Sequence, residues 1–321
     1  MTVCVAALCE GGNIFGASDR MLTAGDVQFE PDAGKIRELT TSIALMTAGD
    51  SSLQTEIIAR VSSEVVARID ADPKNWWLVK DVADLYAKHY GAVKRERSER
   101  SILAPLGLTH DSFVARQATM ADSFIRNLTT ELINFSMPSV ATIITGSDPV
   151  GEHIYVVGEG DVECLDAVGF AAIGIGRWHA NSQFMFAGHD RFKPIPETLL
   201  LTYAAKRRAE VSPGVGEGTD MFTIGSRLGS YVRINQQVVT DLGTIYKRTR
   251  SASRKAIEKG NLEVRKYVEN LAGTATPQEQ EATPPDKGGT APPDPKELRN
   301  SAQEGKPGNP AAGGGAAEAG G

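Results

Sequence analysis

The second residue of the chain is a threonine, and residues that could activate its hydroxyl follow at regular spacing. Thr2 opens an apolar run, Asp19 ends a second one, and Lys35 comes sixteen residues after Asp19. If Met1 is removed, Thr2 carries an α-amine and a hydroxyl together, and the amine can take the hydroxyl proton directly or through a water. The unperturbed pKa of an α-amine, about 7.7–8.0, suits this role near neutral pH. The pattern therefore predicts nucleophilic catalysis by Thr2.

Three further residues suit supporting roles in such a reaction. The charged ammonium of Lys35 would favour the developing alkoxide, and Asp19 would hold Lys35 in place. Gly49 stands where a predicted strand meets a predicted helix. From that position its backbone N–H would stabilise the oxyanion of a tetrahedral intermediate. The order and spacing of these residues carry the prediction, because each residue alone has an ordinary structural explanation.

Three stretches of the sequence resemble the β-type subunits of the 20S proteasome and the related bacterial proteasome-like peptidases that pair with a ring ATPase. They are GASDRMLT at 16–23, AGKI at 33–36 and IALMTAG at 43–49. The register from Asp19 to Gly49 has no gap, and the resemblance extends over roughly residues 2–236. The α-type subunits carry an extra helix before the first strand, which this chain lacks. The threonine directly follows Met1, as in the bacterial peptidases, so no propeptide is expected.

The resemblance implies Thr2 as nucleophile, Asp19 and Lys35 as its charge partners, and Gly49 as oxyanion donor. It also implies that the backbone of Thr23 pairs with an extended substrate. The residues that it places around a specificity pocket are Leu22, Ala33, Arg37, Thr47 and Ser51.

Two segments depart from the family pattern. The family's Gly-Ser-Gly segment is matched by Gly174-Ile175-Gly176, so Ile175 replaces the serine expected beside the terminal amine. The later Asp-x-x-Ser-Gly segment is matched at best by residues 210–214, Glu-Val-Ser-Pro-Gly. Both changes affect the polar network that sets the protonation of the amine and positions a water. The glycine-rich run at 214–218 is predicted to be a flexible turn rather than a phosphate cradle.

The hydrophobic pattern and the resemblance together predict an α+β fold, a four-layer αββα sandwich of the N-terminal nucleophile hydrolase type, over residues 1–236. Helical spacing predicts helices after Gly49 and from near Trp77. A helical insert occupies about residues 98–136, and its predicted amphipathic helix carries Phe113, Met120, Phe124, Leu128 and Leu132. A basic helical extension is predicted over 237–272. Residues 273–321 hold 8 of the 16 prolines and no aromatic residue, and are predicted to be a disordered tail.

Composition is typical of a cytoplasmic enzyme. The 321 residues are 41% hydrophobic with a net charge of −6, which gives no reason to expect a nucleic-acid partner. No 18-residue apolar run or signal peptide is recognised, so no membrane partner is expected. The three cysteines, Cys4, Cys9 and Cys164, lack metal or redox spacing and are predicted to be buried free thiols. Neither a cofactor nor a metal ion is expected.

The leading hypothesis is a threonine-type endopeptidase that hydrolyses peptides or unfolded proteins inside a homo-oligomeric assembly of stacked rings. Whether a ring ATPase feeds that assembly is left open. Two alternatives also stay open. The chain is a catalytically silent ring subunit acting as a scaffold, which Ile175 favours, or it is an amidase for small molecules. A ring with an inner chamber would favour peptide substrates, and an isolated monomer or dimer would favour small amides.

Overall fold

The computed structural model of the chain describes residues 2–24, 27–31 and 34–273. Contacts divide the chain into two units, Met1–Gly260 and Asn261–Gly321. The strands in the described residues are β1 Val3–Cys9, β2 Asn13–Asp19, β3 Leu22–Ala24, β4 Val27–Phe29, β5 Ile36–Thr40, β6 Ile43–Gly49, β7 Val140–Ser147, β8 Glu152–Gly158, β9 Asp161–Cys164, β10 Phe170–Gly174, β11 Thr219–Ile224 and β12 Tyr231–Ile234. The helices are α1 Ser51–Ala71, α2 Val79–Ser98, α3 His110–Arg116, α4 Asp122–Asn134, α5 Arg177–Phe186, α6 Ile195–Ala209 and α7 Gln236–Gly273.

The fold is of the α+β class and is built on two five-stranded antiparallel sheets. The first sheet has the strand order β10-β1-β2-β11-β12, and the second has the order β5-β6-β7-β8-β9. The short strands β3 and β4 form a separate two-stranded hairpin. None of the helices in the described part of the chain is long and apolar enough to cross a membrane.

Strand β1 is buried along its whole length because both of its faces are covered. Its side chains alternate between two hydrophobic clusters. Val3, Val5 and Ala7 pack on the side of α5 and α6. Cys4 and Leu8 pack on the opposite side, against residues of the second sheet. An unbroken apolar run is what a strand with two buried faces requires.

The remaining clusters define how the layers are stacked. The cluster between the two sheets includes Ile14 and Phe222 from the first sheet and Met46 and Ile143 from the second. The helices α1 and α2 cover the other face of the second sheet, mainly through Ile57, Val61, Val65, Val82 and Tyr86. The described residues of this unit therefore run from a helix pair through two facing sheets to a second helix pair.

The prediction of a single amphipathic helix in the insert is wrong, because the helix is interrupted. The segment forms two helices, α3 and α4, separated by a turn at Gln117–Thr119 and by extended backbone at Met120 and Ala121. Phe113 from α3 and Leu128 from α4 reach the same small core, which also contains Leu103 and Leu108. A broken helix lets both side chains enter that core. Phe124, one of the apolar residues of the predicted helix, is 38% exposed.

Other predictions have mixed outcomes. Helix α2 begins at Val79, slightly after the predicted start near Trp77. Cys4 and Cys9 are buried as predicted, but Cys164, which ends the edge strand β9, is exposed. The predicted basic extension falls within α7, while contacts place the boundary between the two units at Asn261. The predicted disordered tail lies, apart from its first residue, outside the described residues.

His153 on β8 lies between two carboxylates that connect separate parts of the fold. Its Nδ1 is 2.6 Å from Oδ2 of Asp166, and its Nε2 is 3.5 Å from Oδ1 of Asp148. Asp166 also accepts the backbone N–H of Ile154 (2.8 Å). Asp148 accepts the N–H of Val79 at the start of α2 (2.8 Å). The hydrogen bond to Asp166 raises the pKa of His153 above its usual value, against the opposing effect of burial.

This cluster predicts a pH-dependent contribution to stability. Because the pKa of His153 is raised on folding, its stabilisation is fully present below the unfolded-state value of about 6.5 and is lost as pH rises through the folded value. His153→Gln should therefore lower the free energy of unfolding by on the order of 1 kcal/mol at about pH 5.5, and by less at about pH 8.5. Urea unfolding across this range measures the difference. His179→Gln, at an exposed position on α5, is the matched control. A loss that does not vary with pH would contradict the assignment.

Candidate active site

The first sheet brings Thr2 and Asp19 together. Strands β1 and β2 are antiparallel with Cys4 opposite Ser18, so the residue before β1 lies beside the last residue of β2. Lys35 comes from the segment immediately before β5 in the second sheet. Both sheets therefore contribute to one polar cluster at their shared end.

Thr2, Asp19 and Lys35 are in direct contact. The Thr2 hydroxyl donates to Oδ1 of Asp19 (2.5 Å). Lys35 Nζ donates to the same oxygen (2.7 Å) and also to Oγ1 of Thr2. All three residues are buried, with Asp19 fully inaccessible to solvent. The three residues that the sequence singled out are thus brought together around one hydroxyl.

The Asp19 carboxylate accepts hydrogen bonds from five donors. Besides Thr2 and Lys35, Oδ1 accepts the N–H of Val3 (2.8 Å). Oδ2 accepts the N–H of Met21 (3.1 Å) and of Gly216 (3.1 Å). A buried carboxylate is stable only when it is paired and hydrogen-bonded, and this one is held through both oxygens.

Gly49 ends β6 next to this cluster and has a backbone conformation that favours glycine. Its φ is 111°, and a Cβ atom there would lie 2.1 Å from the carbonyl oxygen of Ser139. Asp50 follows and caps α1, its carboxylate accepting the N–H of Leu53 (2.7 Å). The close approach of Gly49 to β7 fixes the turn from β6 into α1 beside Thr2.

A cavity of about 190 Å³ opens beside Thr2. Its lining includes Leu22, Thr47 and Ser51 from the predicted pocket, together with Lys35 and Gly49. Thr23 is next to Leu22 in β3, with its Cα paired to that of Gln28. Arg37 lines a different depression, with Thr55 and Ser62, so its predicted place in the pocket is wrong. Ala33 lies outside the described residues.

Four residues that line the pocket are not among those predicted from the sequence. Ala48 lines it from the end of β6, Asp50 and Gln54 from the start of α1, and Phe29 from β4. An aspartate just before a helix is an N-cap signal, and the first turn of that helix follows Gly49, so Asp50 and Gln54 were detectable. Phe29 gave no such signal, because β4 is only three residues long and all three residues are exposed.

The two departures from the family pattern have different surroundings. Gly174 pairs with Val3, and Gly176 N–H donates to the carbonyl of Thr2 (3.4 Å), so the segment with Ile175 lies beside Thr2. Ile175 itself is 47% exposed and offers no hydroxyl. The altered segment at 210–214 leads into the loop that contains Gly216, whose N–H donates to Asp19.

A larger cavity of about 460 Å³ lies elsewhere, between the β5–β6 turn and the connection from α1 to α2. Its lining includes Thr41, Ile69, Pro73 and Trp76. The smaller cavity beside Thr2 is the better candidate for chemistry, since it joins a hydroxyl, an ammonium and a strand-to-helix turn.

Comparison of the chain with models of known protein families gives no match, and no curated protein matches it significantly.

Five donors surround the Asp19 carboxylate, whereas Lys35 donates to Thr2 and Asp19. Removing Asp19 and removing Lys35 should therefore lower the free energy of unfolding by different amounts. Asp19→Asn leaves the buried Lys35 ammonium without its carboxylate and should lower the free energy of unfolding by about 3 kcal/mol or more. Lys35→Met should cost less, because Asp19 keeps three backbone N–H donors. Urea unfolding of both variants measures this order. A larger loss in Lys35→Met than in Asp19→Asn would contradict it.

Proposed function

We propose that the chain is an N-terminal threonine peptidase in which Thr2 is the nucleophile after removal of Met1. The observation that carries the proposal is the position of the Thr2 hydroxyl between the Lys35 ammonium and the Asp19 carboxylate, at the wall of a cavity. A hydroxyl that accepts a hydrogen bond from a buried ammonium is stabilised as it loses its proton.

The proposed reaction begins with transfer of the hydroxyl proton of Thr2 to its own α-amine. The Thr2 oxygen attacks a peptide carbonyl carbon, and the N–H of Gly49 stabilises the oxyanion of the tetrahedral intermediate. The carbon–nitrogen bond breaks, the leaving amine takes the proton, and an ester with Thr2 forms. A water then attacks the ester, with the terminal amine again as base, and releases the acid. These steps require no cofactor.

The arrangement of layers supports the αββα sandwich of the N-terminal nucleophile hydrolases as the fold. In the described residues, a helix pair covers the outer face of each of two facing antiparallel sheets. The sequence resemblance to proteasome β-type subunits and proteasome-like peptidases agrees with that fold. Stacked homo-oligomeric rings, peptide or unfolded protein substrates and a cytoplasmic location are part of the proposal, and a ring ATPase is one candidate for the partner that feeds it.

The size of the pocket supports recognition of one amino-acid side chain of the substrate. Its volume of about 190 Å³ holds one side chain, and its lining combines Leu22 and Phe29 with the polar Thr47 and Gln54. Thr23 on the adjacent strand β3 is the proposed backbone partner of an extended peptide, and Ser51 is a further wall residue. Such a site selects among side chains while the peptide backbone pairs with β3.

The second candidate function is a catalytically silent ring subunit, favoured by one observation. Ile175 stands in the segment beside Thr2, where the family has a serine, and offers no hydrogen bond to a terminal amine or a water. An amidase for small molecules is the third candidate. Native mass spectrometry separates these: an assembly of many subunits fits either ring protein, whereas an isolated monomer or dimer favours the amidase.

Peptide hydrolysis by wild-type protein and Thr2 variants tests the catalytic proposal. Thr2→Ala should reduce the turnover of fluorogenic peptides by about 10³-fold or more, because it removes the attacking oxygen. Thr2→Ser should retain part of the activity, since it keeps the hydroxyl and the amine. Thr41→Ala, at an exposed turn between β5 and β6, is the matched control and should act like wild type.

Hydrolysis that persists in Thr2→Ala at the wild-type rate would overturn the proposal. An inactive wild-type protein that still assembles into a ring would favour the silent subunit.

A further inference from the structure

Lys206 on α6 is a fully buried lysine with three defined hydrogen-bond acceptors. Its Nζ donates to Oε1 of Glu210 (2.7 Å), to the carbonyl of Gly216 (2.9 Å) and to the carbonyl of Glu217 (2.8 Å). An ammonium has three N–H bonds, so these partners satisfy it completely. Burial lowers the pKa of Lys206 and raises that of Glu210, and their mutual pairing opposes both shifts.

The two carbonyls belong to the loop that contacts Asp19. The N–H of Gly216 donates to Oδ2 of Asp19, and its carbonyl oxygen accepts a hydrogen bond from Nζ of Lys206. On the other side, the N–H of Gly218 donates to Oε1 of Glu30 (3.1 Å). A Cβ atom at position 216 would lie 2.0 Å from that same Glu30 oxygen, which shows how closely the Glu30 side chain approaches the loop. The loop is therefore held from two sides, by Lys206 and by Glu30.

We propose that Lys206 is a positioning residue for Thr2 chemistry, which acts by holding Gly216 so that its N–H fixes the Asp19 carboxylate. The inference rests on the proposed peptidase function and adds a residue that lies outside the Thr2, Asp19 and Lys35 cluster. A chain of hydrogen bonds connects them. Lys206 bonds to Gly216, Gly216 bonds to Asp19, and Asp19 bonds to both Thr2 and Lys35.

Fixing Oδ2 of Asp19 matters because Oδ1 carries the three contacts closest to the reaction. Oδ1 accepts from Thr2, Val3 and Lys35, and any rotation of the carboxylate displaces all three. Without Gly216, Oδ2 would keep only the N–H of Met21 among the donors found. The role of Lys206 is mainly geometric, since Glu210 balances its charge.

The test uses a double variant that removes the ion pair without leaving a buried charge. Replacing a buried pair with apolar residues of similar size is often neutral for stability. Lys206→Met/Glu210→Leu should therefore keep a melting temperature near that of wild type, while the loop carbonyls lose their donor. The value of kcat for peptide hydrolysis should fall by about 100-fold, as expected for slight misplacement of reacting groups. KM should stay unchanged, because the pocket residues are untouched. Hydrogen exchange at the Gly216 amide should become faster.

Arg207→Met is the matched control. Arg207 is the neighbour of Lys206 on α6 and also pairs with Glu210 (3.0 Å), but its partly exposed side chain has no hydrogen bond to the loop among the contacts described. This variant should leave kcat and Gly216 exchange as in wild type.

A second variant keeps the test decisive if the double variant does not fold. Glu30 is exposed, so Glu30→Ala removes the acceptor of the Gly218 N–H without creating a buried charge. It should also lower kcat and accelerate exchange at Gly216. A folded variant with faster Gly216 exchange and wild-type kcat would overturn the positioning role alone. Wild-type protein without Thr2-dependent hydrolysis would instead overturn the proposed function, and with it the catalytic meaning of Lys206.

Discussion

The buried carboxylate of Asp19 is the interaction on which the rest of the site depends. A charge without solvent contact needs partners on every side, and five donors converge on it. These donors come from Thr2 and the first residue of β1, from Met21 just after β2, from the segment before β5 and from the loop before β11. One carboxylate thereby ties together the ends of both sheets. The Thr2 hydroxyl and the Lys35 ammonium are fixed relative to each other because both contact the same oxygen.

The two-sided burial of β1 explains how Thr2 reaches that carboxylate. Alternate residues of β1 pack toward the helices α5 and α6 and toward the second sheet, so the strand cannot slip by one residue without exchanging its two cores. The register with β2 is fixed in the same way, and Thr2 is carried to the end of Asp19's strand. Packing in the core and alignment in the site thus follow from one strand register.

Much of this arrangement could be predicted from the sequence because its signals are local. The apolar runs of β1 and β6, the helical spacing in α1 and the order of Thr2, Asp19, Lys35 and Gly49 are all visible within the first 71 residues. The contact among Thr2, Asp19 and Lys35 agrees with the expected grouping.

The parts that escaped prediction depend on distant or backbone contacts. Lys206 lies on an amphipathic helix, where a lysine usually indicates a solvated face, and two of its three acceptors are backbone carbonyls at 216 and 217. The loop containing Gly216 appeared only as a glycine-rich turn. Arg37 lies away from the pocket because it pairs with Leu45, whose side chain packs toward α1 and α2, so Arg37 faces α1. The insert forms two helices rather than one because its apolar residues pack into a small core of their own.

The most direct test of the central claim is an intact-mass measurement of the purified chain before and after exposure to a peptide epoxyketone. This reagent closes a ring only with a residue that offers both a hydroxyl and a free α-amine, so it reports the proposed state of Thr2. If Thr2 is the nucleophile, Met1 is lost and a single adduct forms that is absent from Thr2→Ala. A chain that retains Met1, or an adduct that persists in Thr2→Ala, would contradict it.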